Sequence, residues 1–374
     1  MHRFHIGTIS AIIAVCLISA VLTLPNLFSR STLDSLPSWI PTQQIALGLD
    51  LQGGAHILLE VDLDAVIDER LEAALDDARR ALRQDRIGYR GLNVSRDQVI
   101  TFRLTEPEKR QAALDVLSNA ANQVVTIDTA TGQGQIAFTE AALAEFRQAA
   151  TAQSLEIVRR RIDEHGTREP TIQQQGADRI VVQVPGEQNP DAVKSLLGKT
   201  AKLNFHMVDA NTTVTDAIAG RLPAGSVLLP FQEEGLPGEH QIVVRKRADV
   251  GGDLLTDAQT GFGQSNEPII NFTFDRAGAR KFGEITRDNV GERLAIVLDG
   301  VVISSPVINE PILGGSGMIS GNFTVPEANE LAKLLRAGAL PAPLEIVEER
   351  TVGPDLGADS IEAGKIAALV AITA

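Results

Sequence analysis

"GLDLQGGAHILLEVD", residues 48–62, sets Gly48, Gly53 and Gly54 and the acidic Asp50, Glu60 and Asp62 around a short apolar run. Its reading decides between a ligand-gripping loop and the start of a sheet. A Walker-type phosphate loop requires Gly-Lys-Ser/Thr after its spacer. Gly48 and Gly53 have the right separation, but Gly54 and Ala55 stand where Lys and Ser/Thr belong. A calcium loop opening at Asp62 would place glycine at its sixth position and glutamate at its twelfth. Ile67 and Ala73 occupy those positions. The reading left is structural. The glycines permit a tight turn or bulge leading into a strand over 56–62, and Glu60 and Asp62 close that strand at a polar face.

Outward from this stretch, both ends of the chain are apolar. No Asp, Glu, Lys or Arg occurs from Ile6 to Ser29, a run long enough to cross a hydrocarbon core of about 30 Å as a helix. The run is longer than the apolar stretch of a signal peptide and lacks a small-x-small site, so it reads as an uncleaved anchor over 1–29, with Arg3 on one side and Arg30 on the other leaving its orientation open. "IAALVAITA" (366–374) is too short to span and reads as the opening of a second membrane helix within 358–374. Residues between them would form one large domain looped out beside a lipid bilayer. The net charge of −14, from 34 basic and 48 acidic residues, and the low aromatic content of 4 % argue against nucleic acid as a partner. The single cysteine, Cys16, excludes a disulfide within the chain.

The loop reads as α+β. After the strand at 56–62, residues 64–84 form an amphipathic helix with Val66, Ile67, Leu71, Ala74, Leu75, Ala78 and Leu82 on one face. A strand at 98–104, a helix at 107–123 and a hairpin around 128–138 follow. The helix 154–166 carries Leu155, Val158 and Ile162 on one face, with Arg159, Arg160 and Arg161 read as a solvated face or ion-pair partners. A strand pair turns at Gly176–Asp178, a short helix spans 190–199 and a strand 201–208. With 64–150 set aside, the order is βαββαβ, the ferredoxin-like pattern. The same order recurs from "IINFTF" (269–274), through a hairpin turning at Asp299–Gly300 and a helix opened by the capping box Thr324-Val-Pro-Glu327. Residues 248–268 read as a mobile, polar, Gly-rich connection. Gly338, Pro341 and Pro343 mark a candidate hinge.

Catalytic and metal-binding constellations are missing. The six histidines show no ligand spacing, "GGSGM" (314–318) breaks the nucleophile-elbow pattern at Met318, and His206 reads as a satisfied sheet residue. The expectation is no enzyme, no cofactor and no metal.

The opening stretch resembles the signature of the SecD family, subunits of the bacterial Sec protein-export machinery related to the resistance–nodulation–division transporters. Residues 158–186, 294–324 and 327–361 resemble further segments of that family, in family order. The family motif then comprises Gly48, Asp50, Gly53, Gly54, Glu60 and Asp62. The resemblance implies a bacterial inner-membrane protein whose periplasmic domain has a base (30–200 with 341–357) and a head (201–340). It implies SecF, the SecYEG channel and unfolded preprotein as partners, with the proton gradient driving late, ATP-independent export. Leu254, Leu255 and Phe262, apolar residues in the Gly-rich segment, are candidate substrate contacts. Three rivals stand beside this reading. They are the periplasmic domain of a drug-efflux transporter of the same superfamily, a non-catalytic scaffold for the channel, and an anchored hydrolase.

Overall fold

A computed structural model of the chain describes residues 53–118, 122–165, 170–187, 189–223, 225–231, 240–263 and 265–352, with isolated helical positions at 12–19 and 363–370. Apart from those positions, the two expected membrane helices lie outside the described residues, as do Gly48 and Asp50. Among the described residues no helix is long and apolar enough to cross a membrane. Gly54–Thr351 forms one compact unit and the flanking stretches a second, and the architecture below is that of the former.

The chain opens with β1 (Gly54–Val61) and α1 (Leu63–Gln84), then β2 (Tyr89–Val94), β3 (Ile100–Leu104), α2 (Arg110–Leu117), β4 (Gln123–Ile127) and β5 (Gln133–Phe138). A long helix α3 (Glu140–His165), the hairpin β6 (Thr171–Gln175) and β7 (Arg179–Pro185), and α4 (Pro190–Gly198) follow. Next come β8 (Leu203–Met207), α5 (Val214–Ile218), β9 (Ser226–Phe231), β10 (His240–Arg245), β11 (Val250–Gly251), β12 (Leu255–Phe262) and β13 (Pro268–Phe274). The last stretch holds α6 (Arg276–Asp288), β14 (Leu294–Leu298), β15 (Val301–Ser304), β16 (Ser316–Ser320), α7 (Val325–Ala337) and β17 (Leu344–Val352).

The first sheet has the order β17-β1-β7-β6. β1 and β7 run antiparallel, Ile57 facing Val182 and Leu59 facing Ile180. The Asp62 N–H donates to the Pro343 carbonyl at 3.1 Å, so the end of β1 meets the start of β17 and the two strands run in opposite directions. This corrects the expected first unit. Its last strand is not 201–208 but β17, which arrives after residues 201–340 have been threaded elsewhere. Alternation marks a strand without naming its partner. β8 instead pairs with β14, Phe205 facing Ile296.

The second expected βαββαβ unit does not form one sheet. β13 lies in a three-stranded sheet β12-β13-β16, while β14 and β15 lie in a six-stranded sheet β10-β9-β15-β14-β8-β11. β12 is the reason. It comes from the segment read as a mobile connection, and it supplies a partner along β13 from Leu255 to Phe262. The hairpin at Asp299–Gly300 forms as expected, with φ of 48° and 82° at its two turn residues. Between these sheets Phe205, Phe272, Phe274 and Phe282 pack ring to ring, centroids 5.2 to 6.1 Å apart and mostly edge to face.

A further sheet, β2-β3-β5-β4, is inserted between β1 and α3. All seven apolar positions expected on α1 are buried. Val66 joins the core under the first sheet, and the other six join the core of the inserted sheet. The helix expected at 154–166 begins earlier, at Glu140, where the Thr139 hydroxyl accepts the Ala142 N–H at 3.1 Å. The helix expected to reach residue 123 ends at Leu117, and strand β2 was not anticipated.

Candidate functional site

The chain leaves the first sheet after α4 and returns to it after α7. The outgoing link, Lys199–Lys202, and the return link, Gly338–Pro343, lie side by side, since the Leu340 N–H donates to the Thr200 carbonyl at 2.9 Å. Gly338 caps α7 with φ at 98°, a conformation that a side chain resists, and its N–H donates to the Leu334 carbonyl at 3.0 Å. Leu340 and Ala342 are buried in the first sheet's core. All three hinge candidates, Gly338, Pro341 and Pro343, thus belong to the return link.

Helix α3 sends Arg161 between the two links. The side chain is fully buried. One terminal nitrogen donates to the Leu196 carbonyl at 2.9 Å and also to that of Lys199. The other donates to the carbonyls of Thr200 at 2.9 Å and Gly338 at 3.3 Å. Burial lowers the guanidinium pKa to about 10, and the field of Asp299 works in the opposite sense. Asp299, at the turn between β14 and β15, accepts the Ala201 N–H at 3.0 Å, the Lys202 N–H at 2.8 Å and the Thr200 hydroxyl.

This corrects the reading of the arginine triplet. Arg159 and Arg160 are exposed and pair with Glu156 at 3.5 and 3.1 Å, but Arg161 points inward. The signal was present in the helical period. Ile157, Val158 and Ile162 are buried, and residue 161 falls on their face.

A cleft of about 950 Å³ adjoins the junction. Phe231, Leu298, Val301, Ile303, Phe323 and Leu331 give it an apolar wall. Lys199 and Glu330, 3.0 Å apart, and Asp299 give it charge at the junction side. The volume is at the upper end of the range for ligand sites, roughly 300–1,000 Å³. Apolar side chains of an extended segment fit such a wall, and the polar groups can satisfy its backbone.

The remaining sequence candidates lie elsewhere. Gly53 and Gly54 are buried at the start of β1 with φ of 69° and 140°, the left-handed side that glycine alone takes freely. Glu60 pairs with Arg179 on β7 at 2.9 Å. Asp62 caps α1, accepting the Ala65 N–H at 3.0 Å. Leu254 and Leu255 are partly buried against the core of residues 203–335. Phe262 is 59 % exposed at the end of β12. None of these three lines the cleft. His206 Nδ1 donates to the Arg245 carbonyl at 2.8 Å. Among the described residues no group of three or more His, Cys, Asp or Glu is arranged to hold a metal.

Three family models match the chain. "SecD/SecF GG Motif" covers residues 38–62, "Protein translocase subunit SecDF, P1 domain, N-terminal" 151–210, and "SecDF, P1 head subdomain" 227–342. The protein translocase subunit SecD of Rickettsia conorii is 44 % identical over 361 residues, spanning 96 % of this chain and 68 % of its own length. That of Magnetococcus marinus is 43 % identical over 366 residues, with the same coverage. A crystal structure of SecDF in a super-membrane-facing form superposes with a TM-score of 0.52 at 29 % identity, over 89 % of this chain and 35 % of that one.

Proposed function

The chain belongs to the SecD family of protein translocase subunits, non-enzymatic components of the Sec protein-transport pathway, and from that premise we propose that its cleft holds an apolar segment of an emerging preprotein. The body described above is the periplasmic P1 domain. On this reading it divides into a base, 30–200 with 341–357, and a head, 201–340. The base is a ferredoxin-like βαββαβ unit built from β1, α3, β6, β7, α4 and β17. Residues 1–29 and 358–374 anchor it in the bacterial inner membrane. The head grips the chain leaving the SecYEG channel and turns on the junction, with SecF as the partner subunit and the proton gradient as the energy source. Ile6 to Ser29 holds no Asp, Glu, Lys, Arg or His, the residue types that carry protons within a bilayer.

The observation that carries the reading is the apolar wall of the cleft meeting the junction at Lys199 and Asp299. A holding site wants adaptable apolar surface and calls for no nucleophile. The family assignment removes the drug-efflux and hydrolase rivals. Site-specific photo-crosslinking in cells tests what is left. A crosslinker replaces Phe323 in the cleft, or Phe262 outside it, while a secretory chain is stalled in the channel. Crosslinks from Phe323 to the stalled chain support the holding site. Crosslinks from Phe262 alone move it to the end of β12. Crosslinks from neither position, together with full export by a protein whose junction is locked by a disulfide, favour the scaffold.

A further inference from the structure

We propose that Arg161 is the positioning residue that fixes how the body of residues 201–340 is oriented on the first sheet. The proposal concerns orientation and stands whether or not the cleft holds a polypeptide.

Arg161 belongs to the first sheet's helix and Asp299 to the inserted body, and both grip the same short link. Thr200 is held from both sides: its carbonyl accepts from Arg161 and its hydroxyl donates to Asp299. Arg161 also reaches the return link, through the Gly338 carbonyl, so one guanidinium joins both crossings. The cation is fully buried, and its hydrogen bonds go to main-chain carbonyls on those links and at the end of α4. Its Nε has no partner. Such a cation is tolerated only while the carbonyls stay in place, because a buried donor that loses its acceptor is left unsatisfied in a medium that solvates it poorly. A small rotation of the inserted body pulls the carbonyls of one link away. The orientation with both links converged on Arg161 is therefore a narrow minimum. Arginine suits the position because its planar, forked donors reach several acceptors at once, which a lysine ammonium on a flexible stem does not.

The test is pulsed electron-paramagnetic-resonance distance measurement on the full chain in a Cys16→Ser background. Spin labels go at Gln173→Cys on β6 and Lys281→Cys on α6, both exposed. A second pair, Thr215→Cys and Lys281→Cys, reports on the inserted body alone. With Arg161 present, the pair across the junction should give a single narrow distribution. In Arg161→Lys its width should rise about two-fold, and in Arg161→Met further, while the control pair keeps its width. Asp299→Asn frees the outgoing link from the other side without burying a new group. It should broaden the same distribution, and it decides the matter if Arg161→Met does not fold. An unchanged width across the junction in both Arg161→Lys and Asp299→Asn overturns the proposal. Equal broadening of the control pair overturns it as well, since Arg161 would then be supporting the fold at large.

Discussion

Residues 63–139 and residues 201–340 both interrupt the first sheet, and they are joined to it in opposite ways. The smaller insertion is held by helices. α1 places Val66 in the first core and Ile67 and Leu71 in the inserted one, and α3 reaches from Leu143, packed on the inserted core, to Ile162 in the first. Helices that run through both cores over several turns make them move together. The larger insertion is held by two short extended links, one buried arginine and the last turn of α7, which lends Leu334 to the first core and Leu331 and Leu335 to the other. A continuous helix resists bending, whereas extended links change angle with a few backbone rotations. One chain thus carries a rigid attachment and an adjustable one on the same sheet.

Several substitutions would break or sharpen this contrast. The largest effect is expected for Phe205→Ala, at the centre of the phenylalanine cluster, with a loss of about 3–5 kcal/mol. If the links decouple the two bodies, calorimetry should show the larger insertion melting early while the rest keeps its transition. A single transition displaced as a whole would mean that the junction transmits stability. Next comes Gln148→Pro, at an exposed position inside α3, costing about 3 kcal/mol by removing a helix hydrogen bond. Hydrogen exchange should then rise in β2 to β5, showing that the shared helix is what stiffens the smaller insertion.

Thr324→Ala should cost about 1 kcal/mol, because it removes half of the box that starts α7. This effect depends on pH. The N–H and hydroxyl of Thr324 hold Glu327 below its usual 4.5. A carboxyl whose pKa is lowered by folding contributes fully above its ordinary range, and the contribution fades as pH falls through the lowered value. The gap between wild type and Thr324→Ala in urea melts should therefore narrow as pH drops from 6 to below 4.5. The smallest effect belongs to Lys202→Gln, which breaks an exposed ion pair with Glu69 that ties α1 to the outgoing link. It should change stability by less than about 1 kcal/mol, and the change should vanish in high salt.

Much of the local structure was legible from residue patterns. The buried stripe of α1, the turns at Gly176–Asp178 and Asp299–Gly300, and the Thr324–Glu327 box all follow from short-range rules, and all are present. What was not legible is long-range. β8 and β17 read as strands, but nothing local says that one leaves the first sheet and the other closes it. β2 was missed because Arg90, Gly91 and Asn93 are exposed and interrupt the alternation. The first half of α3 was missed because its alanines mark no clear face. The junction showed a half-visible signal. Gly338, Pro341 and Pro343 announced a bend, whereas Arg161 looked like one more surface charge in a run of three.

Because the inserted body is entered and left through neighbouring links, any tension on it is carried by two covalent strands loaded in parallel. A pull on the body does not peel one link away before reaching the other. The Leu340–Thr200 hydrogen bond and the Arg161 donors tie the links where they run side by side, so the load is shared between them. A force-bearing part built this way behaves as a lever on a double-leaf pivot, held at a preferred angle by Arg161 while resisting extraction.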